Sequence, residues 1–247
     1  MDRGLYVAMT GAKQIMQAQA VNNNNIANAN TTGFRADTVA FTSMPVYGPG
    51  YASRVNAVAG DAGINFASGV LSSSSRPLDI SVNGKGYIAV QGAGGKEAYT
   101  RAGDLQVMPD GAVVTSTGLQ VLSETGPLVV PPATQTTIGQ DGTVSVVPLG
   151  LSAAAQSQVD RVKLVNPPTS TLQKGPDGLL YLKSGGKAPT DESVTVSSGM
   201  LESSNVNAAM SLVNMIELQR MYEFNIKSIS STDQNEQAAE RLMSPTS

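Results

Sequence analysis

Apolar side chains recur at helical spacing at both ends of the chain and at alternating positions between them. Near the C-terminus Leu212, Met215, Gln219, Tyr222, Ile226 and Ile229 follow a 3-4-3-4-3 spacing, which places them in one seam of an α-helix predicted over residues 203–242. Val213, Ile216, Leu218, Met221 and Phe224 lie off that seam. The apolar surface is therefore too wide for a helix with a single partner. About 40 residues at a rise of 1.5 Å make a rod of roughly 60 Å, longer than a compact domain of this size needs. At the N-terminus Leu5, Met9, Ala12, Met16, Gln19, Asn23 and Ile26 repeat the pattern over residues 3 to about 28, with fewer large apolar members. The run Asn22-Asn23-Asn24-Asn25 is a poor helix interior, because short amides compete for backbone groups. It either frays and caps the helix or hydrogen-bonds across a packed interface, where a polar residue in a seam fixes register.

Thr31-Thr32-Gly33-Phe34-Arg35 breaks this helix, with Gly33 supplying a turn, Phe34 an anchor and Phe41 a second one. Residues 43–75 are rich in Gly, Pro, Ser and Ala and read as an irregular connector. From residue 76 to about 196 the period changes to two, as in Leu78/Ile80/Val82, Ile88/Val90, Val144/Val146, Val162/Leu164 and Val194/Val196. Asn83-Gly84, Asp110-Gly111, Asp141-Gly142 and Asp177-Gly178 punctuate these strands with tight reversals. The expected fold is α+β: N- and C-terminal helices pair as a coiled coil, with a mostly antiparallel β-domain inserted between them. The expected segments are an N-terminal helix at 1–30, the connector at 31–75, a β-rich outer domain at 76–198 and a C-terminal helix at 199–247.

Composition narrows the function. Charged residues are only 14% of the 247, the net charge is −3, and no basic cluster stands out. Nucleic acid is thus a poor partner, since phosphate neutralisation needs a concentrated Lys/Arg face. The chain has no Cys and no His, which removes thiol nucleophiles and the commonest metal ligand and general base. No cofactor or metal is expected. The first residues contain no apolar core of signal-peptide length, and no stretch is long enough to span a bilayer. Export without a cleaved signal is the expectation.

Asp79, Asp104, Asp110, Asp141 and Asp177 invite a glycosidase acid/base pair. Three of the five precede Gly in turns, however, where a short carboxylate has a local backbone role. The glycines around Lys85 lack the order of a phosphate loop, and no calcium-loop spacing occurs. Tyr99-Thr100-Arg101-Ala102-Gly103 reads as a strand packed on its neighbour. Glu217/Arg220 and Glu223/Lys227 are helical charge pairs, suited either to a solvated face or to choosing a neighbouring helix.

One set of residues carries a resemblance. Asn24-Asn25-Ile26-Ala27-Asn28, Thr32-Gly33-Phe34-Arg35 and Phe41, together with Gly199-Met-Leu-Glu-Ser-Ser-Asn-Val-Asn, Met215-Ile216, Gln219-Arg220, Tyr222-Glu223 and Thr232-Asp233, closely resemble the two terminal signatures of bacterial flagellar rod and hook proteins. Leu78-Asp79-Ile80, Tyr99-Thr100-Arg101 and Asp141-Gly142-Thr143-Val144 extend the likeness through the middle. The proximal-rod members look nearest, with the distal-rod members the close alternative. The resemblance implies a structural, non-enzymatic subunit of the basal-body rod in the periplasmic space. Its partners would be copies of itself, other axial proteins and the flagellar export apparatus. It also implies a subunit interface formed by Leu5, Met9, Met16, Asn24, Asn25, Ile26, Asn28, Gly33, Phe34, Asn205, Val206, Leu212, Met215, Ile216, Gln219, Arg220, Tyr222, Glu223, Ile226 and Ile229. An envelope enzyme acting on peptidoglycan and an adhesive or carbohydrate-binding module stay open as other readings.

Overall fold

Both helices form, and their ends have local causes. In a computed structural model that describes residues 4–47, 55–60, 63–150 and 156–243, helix α1 spans Gly4–Ala27 and helix α2 spans Ala208–Met243. Residues 1–3, 48–54, 61–62, 151–155 and 244–247 lie outside the described residues. Helix α2 begins five residues later than expected because Asn207 caps it: its side-chain oxygen accepts the N–H of Met210 at 3.0 Å, satisfying one of the free donors of the first turn. The four asparagines remain helical because two of their side chains are engaged elsewhere. Asn22 Nδ2 donates to the Ser211 carbonyl of α2 at 2.8 Å. Asn25 exchanges two bonds with the backbone of Asp37, at 2.7 and 2.9 Å.

The chain divides into two compact units. The first holds both helices and Ala36–Asn65. The stretch expected as an irregular connector contains strands: Phe41–Pro45 and Val55–Ala59 pair as an antiparallel hairpin, and Asp37–Thr38 pairs with Gly63–Ile64. Alternation there is masked by Ser, Pro and Ala, and the hairpin is held beside α1, where Thr10 Oγ1 donates to Asn56 Oδ1 at 3.4 Å. Phe41 is 48% exposed and so is not the buried anchor expected of it.

The second unit comprises Phe66–Asn205 and the six residues Asn30–Arg35. It is antiparallel throughout its paired strands, as expected. Its largest sheet has five strands in the order Leu164–Val165, Tyr87–Gln91, Glu97–Thr100, Leu180–Leu182 and Leu172–Lys174. A three-stranded sheet, Ala133–Ile138, Thr143–Pro148 and Ser157–Arg161, and several two-stranded ribbons complete it. Ile80, Val82, Ile88, Val90, Val144, Val162, Leu164, Val194 and Val196 meet in one core with Leu105, Val121 and Leu128. Each such side chain contributes about 1.5–3 kcal/mol when fully buried. The turns follow the sequence signals. At Asp110, Asp141 and Asp177 a carboxylate oxygen accepts the backbone N–H two residues on, each at 3.1 Å, which is the local role that displaces the glycosidase reading.

Candidate assembly interface

The two helices pack on each other along faces that differ from the seams read in the sequence. On α1 the buried positions are Ala12, Ile15, Ala18, Asn22 and Asn25, a 3-3-4-3 stripe. On α2 the least exposed positions are Ser211, Met215, Leu218, Tyr222, Asn225, Ile229, Thr232 and Glu236, a 4-3-4-3-4-3-4 stripe. Small residues allow the approach: a Cβ on Gly11 would lie 2.8 Å from the side-chain oxygen of Asn225. Ala12 on α1 and Met215, Tyr222 and Ile229 on α2 are common to the expected seams and to these stripes.

The rest of the expected interface residues divide sharply. Met9 and Met16 of α1 are 51% and 56% exposed, and Leu212, Ile216 and Ile226 of α2 are 47%, 53% and 43% exposed. Gln219, Arg220, Glu223 and Asn24 are exposed as well, while Leu5, Ile26, Asn28, Asn205 and Val206 are partly covered. Tyr6, Met210, Val213, Met221 and Phe224 add to the uncovered apolar surface. Three of the expected interface residues are instead enclosed by their own chain: Asn25 by its bonds to Asp37, and Gly33 and Phe34 inside the second unit. A signature motif does not distinguish an interface with another copy from one within the chain, because both require the same buried chemistry.

Gly33 and Phe34 lead into a buried charge cluster that the sequence reading missed. Glu202, 1% exposed, receives Arg35 Nη2 at 2.8 Å and Arg101 Nη1 at 3.0 Å on its two carboxylate oxygens, and the backbone N–H of Gly69 at 2.8 Å. Arg101 also donates to the carbonyls of Val82 and Gly84 and lies 5.3 Å from the ring centre of Tyr87. Burial pushes the Arg101 guanidinium below its usual range, and the Glu202 carboxylate opposes that. A single anion faces two cations, so removing it leaves two buried charges unpaired. The available signal was three charges within the terminal and strand motifs of a chain otherwise poor in charge.

A second buried pair joins Lys163 Nζ to both oxygens of Glu97, at 2.9 and 2.8 Å, and Tyr99 donates to Glu97 at 3.0 Å while accepting the N–H of Ala188 at 2.7 Å. Asp79 is tied to Arg76 and Ser74, and Asp104 to Ser116. These groups are braced inside strands and turns. Among the described residues no group of three or more acidic, His or Cys side chains is arranged to hold a metal, and no helix is long and apolar enough to cross a membrane.

Three family models match in order along the chain: "Flagella basal body rod protein" over residues 5–35, "Flagellar hook protein FlgE/F/G D1 domain" over 81–146, and "Flagellar basal body rod FlgEFG protein C-terminal" over 197–242. The chain is 40% identical over 250 residues to the flagellar basal-body rod protein FlgF of Escherichia coli (strain K12), covering 99% of each chain. It is 34% identical to FlgF of Caulobacter vibrioides, covering 98% of each, and 31% identical to FlgG of Bacillus subtilis (strain 168), covering 95% of this chain and 96% of that one. These likenesses run through both terminal helices and the β-rich unit, so the chain belongs to the flagellar basal-body rod protein family, whose members are structural proteins rather than enzymes, and within it is similar to FlgF above FlgG.

Proposed function

We infer that the chain is a structural subunit of the proximal rod of the flagellar basal body, polymerising through its terminal helices with copies of itself and other axial proteins to carry torque. The observation that carries this reading is the apolar surface left over after α1 and α2 have packed on each other. Met9, Met16, Leu212, Val213, Ile216, Met221, Phe224 and Ile226 are each more than two-fifths exposed, far more large apolar surface on two helices than a chain acting alone needs. Further helices from neighbouring subunits are the economical cover. The 3.5-residue spacing of the buried α2 stripe suits coiled-coil packing in such a bundle. The structural consequence is a shaft, in which helices packed side by side resist twist.

The reading extends to export by the flagellar apparatus without a cleaved signal and to a place in the periplasm. It assigns the interface to the exposed members of the helical set, with Gln219, Arg220 and Glu223 choosing neighbours and register. The test is Ile216→Glu combined with Phe224→Glu, expressed in a strain lacking the native gene. Charges placed on a face that other helices cover abolish rod assembly and swimming, while the purified chain keeps its helix content. Normal swimming by this double variant would overturn the reading.

A further inference from the structure

The backbone visits the second unit for six residues only, Asn30–Arg35, between two stretches of the first. Those six residues are held as a peptide is held by a receptor. Gly33 lies against the Arg101–Ala102 peptide, where a Cβ would come within 2.2 Å of the Arg101 carbonyl carbon, and its φ of +67° is one that other residues rarely adopt. The Phe34 ring is 9% exposed, and the Lys174 ammonium sits 3.9 Å from its centre. Arg35 reaches Glu202 at 2.8 Å and the Ala67 carbonyl at 2.8 Å. The backbone is read as well: Gly33 N–H donates to the Glu202 carbonyl at 2.7 Å, Asn205 N–H to the Phe34 carbonyl at 3.2 Å, and Lys174 Nζ to the Arg35 carbonyl at 2.7 Å.

We propose that Ala67, Gly69, Arg101, Lys174, Glu202 and Asn205 form a peptide-recognition cleft specific for a Gly-Phe-Arg segment that leaves a turn at Gly33, filled here by the chain's own strap and able to take the same strap from a second copy. Each of the three residues meets a separate selector: no room for a side chain at the first, a cation over an aromatic face at the second, and a buried carboxylate at the third. The occupant is set by the chain itself, since the matching sequence is the one bound. The fastening is also incomplete. Arg35 Nε and Arg101 Nε are buried without hydrogen-bond partners, and a buried ion cluster with unmet donors holds less firmly than a fully satisfied one. Release followed by recapture from a neighbour is the exchange such a segment permits.

The second-copy half of the proposal rests on the assembling function inferred above; the cleft itself does not. Gly33→Ala in the full chain ejects the strap sterically while leaving every cleft residue in place. A fluorescent peptide of residues 29–38 then binds this variant saturably and does not bind the wild-type chain, whose cleft is filled. The same peptide carrying Arg35→Ala binds about 100-fold more weakly or worse, because Glu202 loses its partner. Arg35→Ala in the full chain is the second strap-release variant, used if Gly33→Ala does not fold. Hydrogen-exchange protection of strands Tyr87–Gln91 and Glu97–Thr100 reports folding in both. Equal binding by wild type and variant, or no binding to a folded strap-release variant, overturns the cleft. Displacement of the peptide by excess Glu202→Gln chain, whose own strap has lost its ionic seat, supports a second copy as partner. Failure of that displacement overturns the partner while leaving the cleft.

Discussion

Glu202 shows how one residue can decide a local structure. It balances two arginines at about 1% exposure, so Glu202→Ala leaves both cations buried and unpaired. The expected loss is about 3–5 kcal/mol, read by urea unfolding of the full chain. A loss within that of an ordinary surface substitution would mean that water reaches the arginines. Tyr181 supplies a pH signature. Burial, helped by its bond to Asp177, pushes its hydroxyl up to about 12, against about 10 in an unfolded chain. The folded state favours the neutral phenol, so this contribution is complete below pH of about 10 and is lost as pH rises through about 12. Absorbance titration of Tyr181→Phe against wild type isolates it: the variant loses stability less steeply across that window. At the acid end, the Thr143 hydroxyl and N–H hold the Asp141 carboxyl below its usual range. Its contribution is present above pH of about 4 and fades as pH falls through the lower folded value.

At the scale of elements, the helices were legible in existence, with α2 starting five residues later than expected, but about half of each expected face lies one position away from the packing that occurs. The expected seam on α1 ran through Met9, Ala12 and Met16, whereas the face against α2 keeps only Ala12 of these and adds Ile15, Ala18 and Asn22. Close approach of two helices selects small residues, and apolar periodicity alone scores large ones. Asn22 tests the difference. Asn22→Ala leaves the Ser211 carbonyl without its 2.8 Å donor, and the expected cost is about 1–3 kcal/mol. Met16→Ala, at 56% exposure, should change the stability of the isolated chain by no more than about 0.5 kcal/mol. Thermal unfolding of the two variants side by side checks this, and a reversed order of cost would restore the original seam. The hairpin Phe41–Pro45 with Val55–Ala59 was missed because a small two-stranded ribbon needs little apolar alternation when a helix supports it.

For the whole molecule, the two compact units have different numbers of covered faces. The β-rich unit closes its own core, whereas the helical unit keeps uncovered apolar side chains. Deletion of residues 206–247, a cut placed after the bonds that Ser203 and Asn205 make to Val70, Phe34 and Ala67, should leave the β-rich unit folded and abolish rod assembly. Circular dichroism and a motility assay read the two outcomes. Normal motility would refute the assembly role. In the free chain, hydrogen exchange should be slowest in the five-stranded sheet and faster in both helices, whose protection rises on assembly.

The order of elements, the antiparallel middle, the aspartate turns and the family signatures were all determined by the sequence itself, since each depends on residues a few positions apart and on local backbone chemistry. Tertiary structure alone decided which faces of the helices meet, that Gly33 and Phe34 are enclosed by their own chain, and that Arg35, Arg101 and Glu202 form one cluster. Those outcomes join residues separated by up to 189 positions. At such separations partners are chosen by shape, charge balance and the cost of an unpaired buried group, and periodicity carries none of that information.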